Sequence, residues 1–208
     1  MTDARSEILG KIGTEHTSKW SVEALIPALV QRPQKDLIAL FVQKVQRAKG
    51  SIETVSSIAD VPKEIAQHIV VADGLSEIVV SDALGNLPWR EAGLVPVGLD
   101  LGIDGITSVT DCFAGVAETG TLVSLSDETR DSRLNFVSRH HIVVLHADAI
   151  VGPYEDVWGR MKARHMMVPR AVNFITGPSR TADIEQTIEL GAHGPADVHI
   201  VLINSQEG

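Results

Sequence analysis

The sequence predicts an α/β domain built on a mostly parallel, twisted sheet and preceded by a helical segment. Three observations carry that expectation. From residue 51 onward, apolar runs of strand length alternate with segments of helical spacing, the pattern that builds a parallel sheet through helical crossovers. Two of those runs, IVVL at 142–145 and VHIVLI at 198–203, are almost continuously apolar, as strands covered on both faces must be. The chain has 208 residues, 44% hydrophobic and 22% charged, which suits one globular domain with a substantial core.

The elements follow in order. Residues 1–50 are expected to form a helical N-terminal segment, packed on the core or extending from it, and residues 51–208 the α/β domain. An amphipathic stretch at 6–15 contains Gly10 and Gly13, which weaken a helix. Pro33 suits the first turn of a helix whose apolar stripe is Leu37, Leu40, Phe41, Val45 and Ala48, with Gly50 as its stop. Strands are expected at 51–57, 77–81, 106–110, 121–126, 142–146, 172–176 and 199–204, and helices at 61–71, 153–164 and 182–190. No repeat or low-complexity linker divides the chain. Trp20, Trp89 and Trp158 are scattered and are assigned to packing or to an interface.

Charge and cysteine content exclude several functions. With 27 acidic against 18 basic residues and a net charge of −9, the chain lacks the basic surface that nucleic acid or an anionic membrane requires. A single cysteine, Cys112, allows no internal disulfide, no Cys-rich zinc site and no iron–sulfur cluster within this chain. Cys112 itself reads as a small buried hydrophobe. The first residues carry acidic side chains without the apolar core of a signal peptide, and no apolar run approaches the roughly 20 residues of a membrane span. A cytoplasmic protein is expected. Among the eight histidines, His141 and His146 fall on opposite faces of a strand, while His140 and His146 share a face roughly 20 Å apart. Neither pair can chelate, no helical ligand pair occurs, and no metal is expected.

Ligands of parallel sheets bind at the carboxyl ends of the strands, which directs attention to the loops. In the first, around 110–123, Gly115, Gly120, Thr119 and Thr121 make a compact turn rich in donors, able to cradle a carboxylate or phosphate. Glu118 beside it is a candidate general base or nucleophile; the alternative is a plain turn with Glu118 in solvent. The spacing of Gly115 and Gly120 lacks the lysine of a P-loop, and no dinucleotide-binding glycine pattern occurs. In the second, after the strand ending at Ile175, Gly177 permits close backbone approach while Ser179, Arg180 and Thr181 supply anion-binding donors. Asp183 and Glu185 can orient Arg180 or cap the following helix. His193 and Gly194 lie in a turn before the last strand, and His141, at a strand entrance, is a candidate acid, base or substrate donor. The alternative for each is local structure.

Taken together, AETGT at 117–121, HHIVV at 140–144, GPSRTADIE at 177–185 and GAHGP at 191–195 resemble the lactate utilization protein C family, whose module is the LUD domain. The likeness covers about residues 75–204. It implies a fold like the NagB/RpiA/CoA-transferase group and a part in bacterial oxidation of L-lactate to pyruvate. The expected role is a subunit or accessory factor beside iron–sulfur partner proteins, with a small-anion pocket and no redox centre or cofactor of its own. The carried-over residues are Glu118 and His141 as candidate catalytic groups. Thr119, Gly120, Thr121, Gly177, Ser179, Arg180, Thr181, Asp183, Glu185, His193 and Gly194 are candidate anion-binding groups. Self-association stays open. The alternative is a free-standing enzyme of the superfamily acting on a phosphorylated, folate or CoA-linked substrate, with Glu118 as base or nucleophile.

Overall fold

Helix α1 (Gln34–Arg47) begins at Pro33, whose φ of −55° matches the helical value, and carries Asp36 in its first turn and Lys44 and Arg47 in its last. Those charges oppose the helix dipole at both ends. The side-chain amide of Gln34 donates to the carbonyls of Ala147 and Ile150 at 2.7 and 3.0 Å, pinning the start of the helix to the body of the domain. At the other end the left-handed residue is Lys49, with φ 69°, and the N–H of Gly50 bonds the carbonyl of Val45 at 3.0 Å. Gly50 therefore follows the helix terminator instead of being it. A Cβ there would lie 3.0 Å from Val45 Cγ1, so packing asks for the glycine.

The computed structural model describes residues 33–69, 76–100, 105–127, 131–164, 166, 169–182, 188–190 and 194–205, with backbone alone at 180–182 and 188–190. These residues belong to one compact unit; the expected arm at 6–15 lies outside them. Six strands form the central sheet in the spatial order β1 (Ser51–Val55), β12 (Asp197–Ile203), β7 (His140–His146), β4 (Thr107–Asp111), β2 (Ser76–Val80) and β3 (Leu94–Pro96). Every neighbouring pair in it is parallel. The two most apolar strands, β7 and β12, are adjacent, with Asp197 opposite His140 and Ile203 opposite His146.

Each face of that sheet is covered. On one side α2 (Val61–His68) brings Val61 and Ile65 against Ile142, Val144 and Val201, together with Trp89, whose indole donates to the Leu84 carbonyl at 3.0 Å. On the other side Phe41 and Val45 of α1 meet Val143, Leu145, Ile200 and Leu202. Fully burying a side chain such as Phe41 stabilises by about 2–3 kcal/mol.

A second sheet, absent from the sequence reading, shares that face with α1. Its order is β8 (Ile150–Val151), β5 (Ala114–Val116), β6 (Thr121–Leu125) and β9 (Val172–Ile175). The expected strands at 121–126 and 172–176 are present but run antiparallel to each other in this sheet. Helix α3 (Tyr154–Ala163) covers its outer face through Val157 and Met161. The helix expected at 182–190 is not formed: β10 (Arg180–Ala182) and β11 (Ile188–Leu190) pair as an antiparallel ribbon. Pairing between the two short strands, invisible to local periodicity, decides their conformation. Among the described residues no helix is long and apolar enough to cross a membrane.

Glycines let the second sheet approach α1. A Cβ on Gly115 would lie 2.9 Å from the Phe41 ring, one on Gly120 2.5 Å from the Val45 nitrogen, and one on Gly177 2.3 Å from the Ala48 carbonyl oxygen. Gly120 and Gly177 also hold φ of 71° and 66°. Gly120→Ala and Gly177→Ala are each expected to lose about 2 kcal/mol or more in urea unfolding. Gly159→Ala, on exposed α3 with nothing within 4 Å of the new Cβ, is expected to gain about 0.5–1 kcal/mol. Wild-type stability in the first two variants would contradict this packing.

Candidate functional site

The β5–β6 turn places the first motif. Ala117 donates its N–H to the Val151 carbonyl at 2.9 Å, and Gly120 to that of Val116 at 2.9 Å, so the turn is held at both ends. Glu118 projects from it into solvent, and its carboxylate has no partner among the described residues. Thr119 and Thr121 point back, their hydroxyl oxygens 2.7 Å apart. The Thr119 hydroxyl donates to the Tyr154 hydroxyl at 3.0 Å, and Thr121 lies 2.9 Å from the same oxygen. Thr121 also reaches Thr176 at 2.7 Å.

That last contact joins the two motif loops, because Thr176 immediately precedes Gly177. Tyr154 and Thr176 were not among the sequence candidates. Thr176 adjoins a motif that was, and Tyr154 is the chain's single tyrosine; only the fold shows that they meet. Each hydroxyl carries one proton and two lone pairs, so the cluster can satisfy itself or turn a proton outward toward a bound acceptor. Thr176 is exposed and Thr121 fully buried, which leaves the open side at Thr176.

The second loop continues into the ribbon. The Ser179 N–H bonds the Pro195 carbonyl at 2.8 Å, and a Cβ on Gly194 would lie 3.3 Å from that of Ser179, so the GPSR and HGP motifs are neighbours. Arg180 and Thr181 lie on β10. Asp183, Glu185 and His193 lie outside the described residues.

Contacts with the second half of α1 set where this assembly sits. Gly115 lies by Phe41, Gly120 by Lys44 and Val45, and Gly177 by Ala48, and that end of α1 leads into the start of β1. The motif loops therefore gather at the amino ends of the parallel strands, not at the carboxyl ends where they were sought. The rule about carboxyl ends concerns loops that follow parallel strands, whereas β6 and β9 belong to the antiparallel sheet. At the carboxyl ends lies a cleft of about 520 Å³ lined by Gln34, Ile38, His146, Asp148 and Ser205, and a smaller one of about 310 Å³ beside Ser81, Asp82 and Asp131. No motif residue lines either.

His141 occupies different ground. It is fully buried at the start of β7, with Nε2 2.9 Å from the Thr110 hydroxyl and Nδ1 without a partner among the described residues. No described contact joins it to Glu118 or to the threonine cluster. Around it the interior is unusually polar: Ser108 lies 2.8 Å from the Leu134 carbonyl and 2.7 Å from Ser138, and Asn135 donates to Ser124 at 3.2 Å. Burial pushes the His141 pKa down to about 4, so the ring is neutral at ordinary pH. His199, stacked on His68 with centroids 3.6 Å apart, is likewise lowered to about 4, chiefly by burial and then by the neighbouring His68. Cys112 is half-buried and packs against the α1-side core. Among the described residues no group of three His, Cys, Asp or Glu can hold a metal ion.

The two buried histidines fix a pH dependence. Both are neutral in folded and unfolded chains well above pH 6.5, so they are without effect there. As pH falls from 6.5 toward 4, the unfolded chain takes up protons that the folded one refuses. Stability then drops by up to about 1 kcal/mol per pH unit for each histidine, and the drop levels off below the folded value. Urea midpoints measured from pH 7 to 4.5 should fall less steeply for His141→Gln than for wild type; parallel curves would contradict the assignment.

A family model described as the LUD domain matches residues 105–203. Lactate utilization protein C of Anoxybacillus flavithermus is 31% identical over 91 residues, covering 44% of this chain and 40% of that protein. The Exiguobacterium protein of the same name is 27% identical over 119 residues, 56% of this chain and 52% of its own. The Bacillus subtilis protein of that name is 30% identical over 94 residues, 44% of this chain and 39% of its own. The chain thus spans about half or less of the length of these relatives. In fold it is similar to the crystal structure of a DUF162 family protein from Deinococcus radiodurans. The TM-score is 0.61 at 18% identity, covering 84% of this chain and 100% of that one. Over residues 105–203 the chain is thus similar to the LUD domain, and over about half of its length or less to lactate utilization protein C.

Proposed function

We propose that the chain takes part in the use of L-lactate, as a cytoplasmic subunit or accessory factor of a system whose electrons are carried by iron–sulfur proteins. We place a small-carboxylate site at the joined motif loops. The observation that carries this reading is the meeting of the AETGT turn and the TGPSR loop through Thr121 and Thr176, within the segment that matches the LUD domain. The exposed Thr176 hydroxyl can turn its proton outward as a neutral donor, and Arg180, three residues beyond Gly177 in the motif, is the residue this reading assigns the positive charge that a carboxylate needs. Oxidation of lactate to pyruvate releases two electrons and two protons. One cysteine cannot furnish the thiolates of a cluster, so this reading puts the electron carrier on another chain.

Deleting the gene in a strain without a paralogue tests the proposal. Growth on L-lactate should fail while growth on glucose persists, and a copy carrying Arg180→Ala should restore lactate growth poorly. Undiminished lactate growth of the deletion strain would overturn the reading. Glu118, exposed and without a partner among the described residues, favours a second reading, a free-standing enzyme using that carboxylate on a phosphosugar, folate or CoA ester. It requires one of those compounds to raise the Tm of the purified chain, since a ligand at 100 times its Kd stabilises by about 2.7 kcal/mol. No thermal shift with any of them would remove it.

A further inference from the structure

Two positive charges meet at the carboxyl ends of the parallel strands. Phe113 lies two residues beyond β4 and packs against the cluster of Ala114, Val157 and Met161. Arg160, in the last turn of α3, and Arg164, which caps that helix, hold their guanidinium carbons 5.8 and 5.4 Å from the centre of the Phe113 ring. A ring face attracts a cation, but two cations one helical turn apart repel each other. Arg160 registers that repulsion: its pKa is lowered first by burial and then by the Arg164 charge, with the Asp148 carboxylate opposing. The helix dipole favours cations at this end. It does not call for two on one ring, and Lys162 in the same turn is exposed to water.

The chain holds 27 acidic side chains against 18 basic ones, yet neither arginine makes an ion pair among the described residues. Asp156, one turn before Arg160, turns toward Gly152, where a Cβ would lie 3.2 Å from its Oδ2. Glu155 shares that first turn of the helix. Asp148 meets Arg160 through its backbone, the Nη1 group donating to the carbonyl at 3.0 Å. The Arg160 Nε is buried without a partner among the described residues. Arg160 is therefore held in place, its remaining N–H groups beside the guanidinium of Arg164, and little ordering is left for a ligand to impose.

We propose that Arg160 and Arg164, set on Phe113, form a binding site for a doubly charged phosphate group, free or carried as a monoester. Charge and shape select phosphate. Two guanidiniums balance two negative charges. A flat carboxylate is satisfied by one guanidinium fork, whereas the tetrahedral oxygens of a phosphate accept from two forks in different planes. Position supports a ligand here as well. Asp148, whose carbonyl Arg160 holds, lines the cleft of about 520 Å³ together with His146, Asn204 and Ser205, at the strand ends where parallel sheets bind ligands. That cleft has the size for the body of a small phosphate ester. The site stands at the opposite end of α3 from Tyr154 and owes nothing to the lactate reading.

Calorimetric titration of the purified full chain tests the site, at about pH 8, where phosphate is doubly charged, and at constant ionic strength set with chloride. Inorganic phosphate and glycerol 2-phosphate should each bind saturably. Arg164→Ala should weaken that binding roughly tenfold or more. Arg164→Lys, which keeps the charge without the fork, should weaken it as well. Both variants should keep the wild-type Tm, since Arg164 is exposed. Lys162→Ala, which removes a neighbouring exposed cation, should bind as wild type does. Tighter binding of glycerol 2-phosphate would identify an ester as the ligand, and tighter binding of inorganic phosphate the free ion; both uphold the site. Failure of both phosphates to bind saturably would overturn it. Wild-type affinity in the two Arg164 variants, equal weakening by Lys162→Ala, or tighter binding of malonate than of either phosphate would overturn it too.

Discussion

Close contact between α1 and three glycines governs the arrangement of the whole domain. Phe41 and Val45 close the core between the parallel sheet and the smaller antiparallel one, and Gly115, Gly120 and Gly177 remove the side chains that would hold the second sheet away. Interiors are packed to crystal-like density, so an added methyl at any of these points forces a backbone or a ring to move. The same contact brings together two segments more than fifty residues apart in sequence, because Thr121 and Thr176 each adjoin a glycine seated on the helix. The glycines do bring backbones together, but the partner of that approach is the helix.

The chemistry of the site follows from which groups are left facing water. The threonine and tyrosine hydroxyls are neutral and can reorient their protons. Glu118 lies outside the cluster and His141 inside the core, where desolvation keeps the imidazole neutral. Nearby Ser108, Thr110, Asn135 and Ser138 are buried as well. Side chains of this kind are retained in an interior when they make hydrogen bonds, as most of these do.

Much of the fold was legible because local pattern and final environment agree. Pro33 and the stripe through Phe41 and Val45 announce α1, and the unbroken apolar runs of β7 and β12 announce central strands, since nothing in the tertiary structure overrides either signal. The second sheet was not legible: β5 is three residues long and β8 two, too short to carry a period. The expected helix at 182–190 gives way to the pairing of Arg180–Ala182 with Ile188–Leu190, a contact that local pattern does not contain. The motif residues were found by their types and order, whereas Tyr154 and Thr176 carry no signature of their own.

By itself the sequence determined the α/β class, the helix and strand positions with strong periodicity, the family resemblance and the limit set by one cysteine. Each of these is a property of composition or of near neighbours along the chain. Only the tertiary structure decided that the motif loops meet at the amino ends of the parallel strands, that their glycines seat α1, and that His141 is sealed away from Glu118. Those outcomes depend on contacts between distant segments, and such contacts are settled by packing and hydrogen-bond satisfaction across the whole domain, which no local stretch of sequence contains.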